Sequence, residues 1–204
     1  MGYTFADIAF TPKVKSVQEA QGSRAGYANQ QEHGNRDFTH FDADASAFIA
    51  SRDSFYLASV GETGWPYVQH RGGPPGFVKV LDDTTLGFAD YQGNRQYVSV
   101  GNVMNDDRVS LFFMDYTRKA RLKMFGRMSL VATDDVTTLS RLRDDEYGAR
   151  VERGFLIKLE AYDWNCPKYI TERFTLPEID QAVAPLKQRI IELEAKLVQA
   201  GVDS

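Results

Sequence analysis

The chain has 204 residues, of which 43% are hydrophobic and 25% charged, with a formal net charge of −4 and a single cysteine, Cys166. This composition is typical of an ordinary globular protein and excludes a disordered or fibrous one, while the acidic balance provides no overall attraction for nucleic acid. A lone cysteine forms no intrachain disulfide, and residues 1–16 lack the apolar core of a secretory signal. No apolar run reaches the roughly 18 residues of a membrane span. We therefore expect a cytoplasmic protein.

The amino-terminal 40 residues predict an arm that lies largely on the surface, because Gly, Gln, Asn and Ser dominate and large apolar groups are few. Within this arm, residues 14–28 are compatible with a helix. Residues 42–51 (DADASAFIAS) offer an aspartate cap, several alanines and an apolar Phe48–Ile49 pair, which predicts a short helix before the first strand.

A series of short strands is predicted after this helix, because β-branched and aromatic residues alternate with turn signals. The predicted strands are residues 54–60, 67–71, 77–81, 86–89, 109–114, 121–132 and 154–162. The first two form a hairpin, since GETGWP between them supplies the turn. GGPPG at 72–76 cannot continue a central strand, because proline has no N–H to donate to a ladder.

The strand over residues 121–132 has two different faces. Side chains in a strand alternate between the two sides of the sheet. Leu122, Met124 and Met128 therefore share an apolar face, and the opposite face carries the cations Arg121, Lys123 and Arg127.

Two further helices interrupt the strands. Asn94 is a suitable helix cap, and the residues that follow it are compatible with a short crossover helix containing Val98, Val100 and Val103. Residues 134–144 predict another helix, with acidic residues at its start and arginines near its end, as the helix dipole favours. Many short strands and few helices predict a mainly β (α+β) fold, either a barrel or a sandwich with peripheral helices.

The carboxy-terminal region predicts one amphipathic helix. Thr175 and Glu178 form a T-x-x-E capping box around Pro177, and Gly201 stands where such a helix would end. Between them apolar residues recur every three or four positions, at Val183, Leu186, Ile190, Leu193, Leu197 and Ala200. This stripe is compatible with packing on the helix's own domain or with pairing to a second subunit. We therefore divide the chain into an arm (1–40), a barrel (41–174) and a helix (175–204).

Basic residues recur among apolar strand residues or beside turn residues between positions 67 and 128. They are Arg71, Lys79, Arg95, Arg121 and Lys123. A flat aromatic cofactor with a phosphate needs cations and N–H donors at one end and a dry apolar slot at the other, so we hypothesise a flavin mononucleotide (FMN) site. Residue type alone is also compatible with ordinary surface or interface charges.

A second interpretation of the basic residues is a nucleic-acid surface. The cations of residues 118–127 lie near Tyr116 and Phe125, whose rings could stack on bases. The acidic balance of the chain argues against this alternative. No metal site is expected, because His33 and His40 have no ligand spacing and no cysteine pair accompanies them.

From about residue 48 to residue 171 the sequence resembles the pyridoxamine 5′-phosphate oxidase-related family of FMN-binding split β-barrels. The segments that carry the resemblance are FYLASVGETGWPYVQHRGGPPGFVKVLD, GFADYQGNRQYVSVGN, RLKMFGR and DWNCP. The resemblance implies a homodimer that binds FMN at its interface. By the same resemblance the cofactor-binding residues are Arg71, Lys79, Asn94, Arg95, Gln96, Arg121 and Lys123, together with Trp164 from the partner subunit.

The resemblance implies an FMN-dependent oxidoreductase that takes electrons from a nicotinamide cofactor or a small organic molecule. Members that oxidise pyridoxamine 5′-phosphate grip the vitamin phosphate with an Arg-x-His pair, and this sequence contains no such pair. A different substrate is therefore expected. A flavin carrier or sensor without turnover is the alternative function, and a deazaflavin or haem is the alternative cofactor. No catalytic acid, base or nucleophile is identified.

Overall fold

The computed structural model describes residues 3–34, 38–164 and 167–201. Cys166, the lone cysteine, lies outside these residues. The chain divides into two compact units, the first formed by Met1–Asp115 with Ala120–Pro167 and the second by Tyr116–Lys119 with Lys168–Ser204. Every helix in the described part of the chain falls short of the length or apolar character needed to cross a bilayer.

The first unit is built on an antiparallel sheet, and each predicted strand is present in it. The strands are β1 (Ser54–Val60), β2 (Pro66–Gly72), β3 (Val78–Asp82), β4 (Thr85–Tyr91), β5 (Arg108–Asp115), β6 (Ala120–Val131) and β7 (Val151–Trp164). Among the described residues they pair in the order β2-β1-β5-β6-β7-β4-β3. The predicted hairpin is confirmed, with Phe55 opposite Arg71 across β1 and β2. With its helices this sheet forms the predicted α+β split barrel.

Helices flank the sheet and connect its strands. Those of the first unit are α1 (Thr4–Ala9), α2 (Pro12–Ala20), α3 (Arg24–His33), α4 (Ala43–Ala50), α5 (Val98–Asn105) and α6 (Val136–Leu142). The single helix predicted over residues 14–28 is wrong in extent, because Gly22 adopts a left-handed φ of 72° and separates α2 from α3. The predicted aspartate cap of α4 is confirmed, since the Asp42 carboxylate accepts a hydrogen bond from the Ala45 N–H at 2.7 Å.

Part of the amino-terminal arm is buried, contrary to the expectation of a largely exposed segment. Tyr3, Phe5 and Ala6 of the α1 region are at most 7% exposed. The Phe5 ring stacks on Phe125 of β6 at a centroid distance of 4.7 Å. The arm's few large apolar residues are concentrated here, and their burial anchors α1 to the sheet, whereas most residues of α2 and α3 are exposed or half-buried.

The core lies on the inner face of the sheet and is rich in aromatic rings. Phe55 stands near its centre, with the Phe113 ring stacked at 5.0 Å and the Phe88 ring packed edge-on at 5.2 Å. Leu122 and Met124 of β6 are fully buried beside them. The predicted division of β6 into an apolar and a cationic face is therefore confirmed, because burial alternates along this strand.

The second unit contains α7 (Leu176–Gln199). The predicted capping box is confirmed: the Thr175 N–H donates to the Glu178 carboxylate at 2.7 Å, and the Glu178 N–H donates to the Thr175 hydroxyl at 3.4 Å. Gly201 follows the helix with a left-handed φ of 70°, as a terminating glycine should. No described residue of α7 is buried.

Candidate functional site

A polar pocket of about 180 Å³ lies where β2 approaches β4, beneath the loop that leads into α5. These two strands are far apart in the pairing order of the sheet, so the pocket exists only because the sheet curls. Its lining residues are Gln69, Arg71, Asp90, Tyr91, Gly93, Asn94, Arg95, Tyr97, Val100 and Glu152. Three of the residues predicted to bind the cofactor, Arg71, Asn94 and Arg95, therefore meet in one place.

Arg71 is the most strongly held cation of the pocket. Its guanidinium donates to the Asp90 carboxylate at 2.7 Å, and the two side chains are 15% and 7% exposed. The same guanidinium lies 5.4 Å from the Phe155 ring centre and 6.0 Å from that of Phe88. Its Nε atom is buried without a hydrogen-bond partner among the described residues. Arg71 is thus fixed in place, and its Nε–H group makes no hydrogen bond to the described residues.

Asp90 is shared between two arginines. Its second carboxylate oxygen lies 3.4 Å from Nε of Arg153, whose guanidinium also contacts Glu152 at 3.3 Å. Burial raises the pKa of Asp90 above its ordinary value, and this desolvation outweighs the opposing attraction of Arg71 and Arg153. The carboxylate therefore holds the two guanidinium groups in position. Its ionised form is disfavoured by burial, because the carboxylate has lost most of its hydration.

The loop before α5 closes the pocket through two residues with left-handed backbone. Arg95 and Tyr97 have φ values of 60° and 54°. The Arg95 Nε donates to the Tyr97 hydroxyl at 3.0 Å, and that hydroxyl donates to Glu152 at 3.2 Å. The Tyr97 hydroxyl and the Glu152 charge raise the pKa of Arg95, so its side chain stays cationic.

The predicted capping role of Asn94 is wrong. Tyr97 is the residue that precedes α5, and it makes no side-chain cap. Asn94 lies three residues earlier, and its side-chain oxygen accepts from the Gln96 N–H at 3.2 Å, which shapes the loop. Helix α5 consequently begins beside the pocket, and among the described residues no side chain caps its first N–H groups, an arrangement that suits an anion.

The remaining predicted ligands lie away from this pocket in a single chain. Lys79 is on β3, opposite Gly87 of β4. Gln96 belongs to the same loop as Arg95 but is not a lining residue. Arg121 is on β6 with its Nε buried and without a hydrogen-bond partner among the described residues.

Lys123 and Trp164 have partners within the chain. The Lys123 ammonium lies 3.2 Å from Asp163 and 4.6 Å from the Phe5 ring centre. The Trp164 ring packs edge-on against Phe48 at 5.0 Å. Their assignment as flavin ligands stays a prediction.

Sequence reasoning missed the acidic half of the pocket. Asp90, Glu152 and Arg153 were not selected, although they order the predicted cations. Asp90 offered a usable signal, because it is a charged residue in β4, a strand whose interior positions are all buried. Glu152 and Arg153 offered none, since nothing local shows that the start of β7 would reach β4.

No group of three or more His, Cys, Asp and Glu side chains within the described ranges is placed to hold a metal ion. The pocket is instead suited to one end of an anionic organic molecule. It is small, and it combines the guanidinium groups of Arg71 and Arg95, the carboxamide of Asn94 and the start of α5 with the carboxylates of Asp90 and Glu152. A phosphate group fits this donor set, since arginine binds phosphate through paired N–H groups.

Comparison with known proteins supports the same family. A sequence model described as pyridoxamine 5′-phosphate oxidase matches residues 41–197, whereas none of the curated proteins gives a match. An FMN-binding protein from Syntrophomonas wolfei is 13% identical, covers 72% of this chain and 97% of its own, and has a TM-score of 0.47.

Two further solved structures resemble this chain with similarly low sequence identity and TM-score. A Clostridium acetobutylicum protein related to general stress protein 26 of B. subtilis, of the pyridoxinephosphate oxidase family, is 13% identical with coverages of 67% and 94% and a TM-score of 0.44. An F420 reductase is 16% identical with coverages of 58% and 94% and a TM-score of 0.40. Likenesses this low assign no function.

Proposed function

Because the chain belongs to the pyridoxamine 5′-phosphate oxidase family, we propose that it is an FMN-dependent oxidoreductase and that the pocket beneath the α5 loop receives the FMN phosphate. The observation that carries this proposal is the convergence of Arg71 of β2 with Asn94 and Arg95, two neighbouring residues of the loop before α5, on a single pocket. Independent surface charges have no reason to converge in this way.

The lining of the pocket carries two arginines and two carboxylates, so the support for an anionic ligand comes from the free N–H groups of the arginines and not from the net charge. Asp90 accepts from Nη1 of Arg71, and among the described residues no hydrogen bond engages its other terminal nitrogen, Nη2. Arg95 is held by the neutral Tyr97 hydroxyl rather than by a direct carboxylate contact. A phosphate would therefore find guanidinium N–H groups that are already oriented, so little side-chain entropy is lost on binding.

The size of the pocket supports a homodimer with the flavin between its subunits. Pockets for whole cofactor-sized ligands are about 300–1,000 Å³, and this one is about 180 Å³. One chain thus accommodates the phosphate end, and we propose that a second subunit covers the ring. Lys79, Gln96, Arg121, Lys123 and the partner's Trp164 remain proposed contacts to the rest of the cofactor.

When bound, FMN supplies the redox chemistry, and the protein supplies binding and orientation. We propose a nicotinamide cofactor or a small organic molecule as electron donor. Pyridoxamine 5′-phosphate is not the proposed substrate, because the sequence has no Arg-x-His pair. A cytoplasmic location accompanies this proposal, since the lone cysteine is typical of reducing compartments.

The test compares FMN with riboflavin, which has the same ring but no phosphate. We expect the wild-type protein to bind FMN more tightly, measured by quenching of flavin fluorescence. Arg95→Ala should reduce FMN affinity by about tenfold or more, because a charge-assisted hydrogen bond contributes about 1.5–3 kcal/mol, and should leave riboflavin affinity unchanged.

The matched control is Arg143→Ala, which removes an exposed arginine paired with Asp145 outside the pocket. Equal loss of FMN affinity in both variants, or an FMN affinity that Arg95→Ala does not alter, would contradict the phosphate assignment. Failure of the wild-type protein to bind either flavin would overturn the whole proposal.

The alternative of a carrier or sensor is favoured by one observation: both carboxylates of the pocket are engaged within the chain, Asp90 by Arg71 and Arg153, and Glu152 by Arg153 and the Tyr97 hydroxyl. Anaerobic addition of NADH or NADPH to the FMN-loaded protein separates the two functions. Bleaching of the flavin absorbance within a catalytic time scale supports the oxidoreductase with a nicotinamide donor. If the flavin absorbance persists after addition of NADH, of NADPH and of small organic reductants, the result supports the carrier or sensor function.

A further inference from the structure

Helix α7 presents a continuous apolar seam that is not buried. The seam consists of Ile179, Val183, Leu186, Ile190, Leu193 and Leu197, which are separated alternately by four and three residues. Leu186 is 64% exposed and Ile190 55% exposed. Alternation of four and three is the spacing of a coiled-coil heptad, in which these residues occupy the a and d positions.

We infer that this seam pairs in parallel with the α7 seam of a second copy of the chain. The residue types favour two strands in this orientation. The first two a positions hold β-branched residues, Val183 and Ile190, and the two d positions beside them hold Leu186 and Leu193. β-branched residues at a with leucine at d favour a parallel dimer, because each side chain then fits the hole that its partner helix forms.

The charges beside the seam include one pair that favours the same orientation. In the heptad set by the seam, Arg189 occupies a g position and Glu194 the following e position. Parallel pairing brings Arg189 of one chain next to Glu194 of the partner subunit, and symmetry makes this contact twice. Antiparallel pairing would instead place g opposite g, which brings the cations Arg189 and Lys196 together, and e opposite e, which brings Lys187 and Glu194 together.

Helix α7 also needs stabilisation from outside itself. Pro185 lies inside the helix, where a proline removes a backbone hydrogen bond and costs about 3 kcal/mol. No described residue of α7 is buried to offset that cost. Pro185 occupies an outward c position, so its ring leaves the seam uninterrupted. Burial of the seam against a second copy would supply the missing apolar contact.

The pairing is tested by disulfide trapping in the full chain, with Cys166 replaced by serine. Under mild oxidation Leu193→Cys at a d position should give mostly cross-linked dimer, because parallel pairing places each residue opposite its own copy. Gln188→Cys on the outward face is the matched control and should remain uncross-linked. Equal cross-linking at both positions would overturn the inference, as would none at Leu193→Cys.

A second pair of substitutions tests the seam itself. Ile190 and Ile191 are adjacent and 55% and 58% exposed, but only Ile190 lies on the seam. Added to Leu193→Cys, Ile190→Asp should lower the cross-linking yield by about tenfold, because it places an unpaired carboxylate between the helices. Ile191→Asp should leave the yield unchanged, and an equal loss with both would refute the seam.

This inference does not rest on the proposed flavin function. Cross-linking and FMN affinity are measured on the same variants, so the two proposals fail separately. Loss of cross-linking with intact FMN binding in Ile190→Asp supports both. Cross-linking in a protein that binds no flavin supports the seam and overturns only the function.

Discussion

The ion pair between Arg71 and Asp90 joins β2 to β4, two strands that share no ladder, and its removal should open the curled sheet. Breaking one partner of a fully buried pair costs about 3–5 kcal/mol. The two side chains are 15% and 7% exposed, and Asp90 keeps a second guanidinium, that of Arg153, at 3.4 Å. We therefore expect Arg71→Met to lower the free energy of unfolding by about 2–3 kcal/mol.

Urea denaturation followed by tryptophan fluorescence measures this loss, because Trp164 packs against Phe48 in the same unit. Asp90→Asn should be less destabilising than Arg71→Met, because it removes the buried charge whose desolvation raises the pKa of Asp90. The double variant should cost less than the sum of the single ones by about 1 kcal/mol or more, as expected for residues in direct contact.

The matched control is Arg127→Met. Arg127 forms ion pairs of similar length with Asp107 and Glu160, but its side chain is 52% exposed. Exposed pairs contribute little to stability, so this variant should unfold at nearly the wild-type urea concentration. If Arg71→Met is no more destabilising than Arg127→Met, or if the two pocket substitutions are additive, the ion pair does not hold the sheet closed.

Three further predictions follow from the same structure. The folded-state pKa of Asp90 is raised, so the contribution of Asp90 to the free energy of unfolding should fall as pH rises from its unfolded-state pKa through its folded-state pKa. In urea denaturation curves collected between mildly acidic and neutral pH, Asp90→Asn should lack this pH dependence. Gly126→Ala should lower the free energy of unfolding by about 1–3 kcal/mol, since the added Cβ would stand 2.7 Å from the Ile157 side chain. A Cβ at Gly101 in α5 would meet nothing within 4 Å, so Gly101→Ala should raise the thermal midpoint. Asp42→Ala should cost about 1 kcal/mol through loss of the α4 cap, and an unchanged midpoint would show that this cap is dispensable.

Local sequence signals predicted most of the secondary structure. The aspartate before α4 and the capping box of α7 act within one helical turn, so their effect is readable from neighbouring residues. The burial of alternate residues in β6 likewise follows from the geometry of a strand. Asn94 failed as a cap because two left-handed residues, Arg95 and Tyr97, delay the helix start, and such backbone conformations are uncommon for these residue types.

The sequence by itself determined the strand succession, the apolar faces, the capped carboxy-terminal helix and the resemblance to a flavin-binding family. It also identified the candidate basic residues of the cofactor site, because residue type and position are local properties. Only the tertiary structure decided that Arg71 meets Asp90 and that Arg95 lies over the same pocket. The physical reason is that these contacts depend on how far a seven-stranded sheet curls, a quantity that sums the twist and packing of every strand between them.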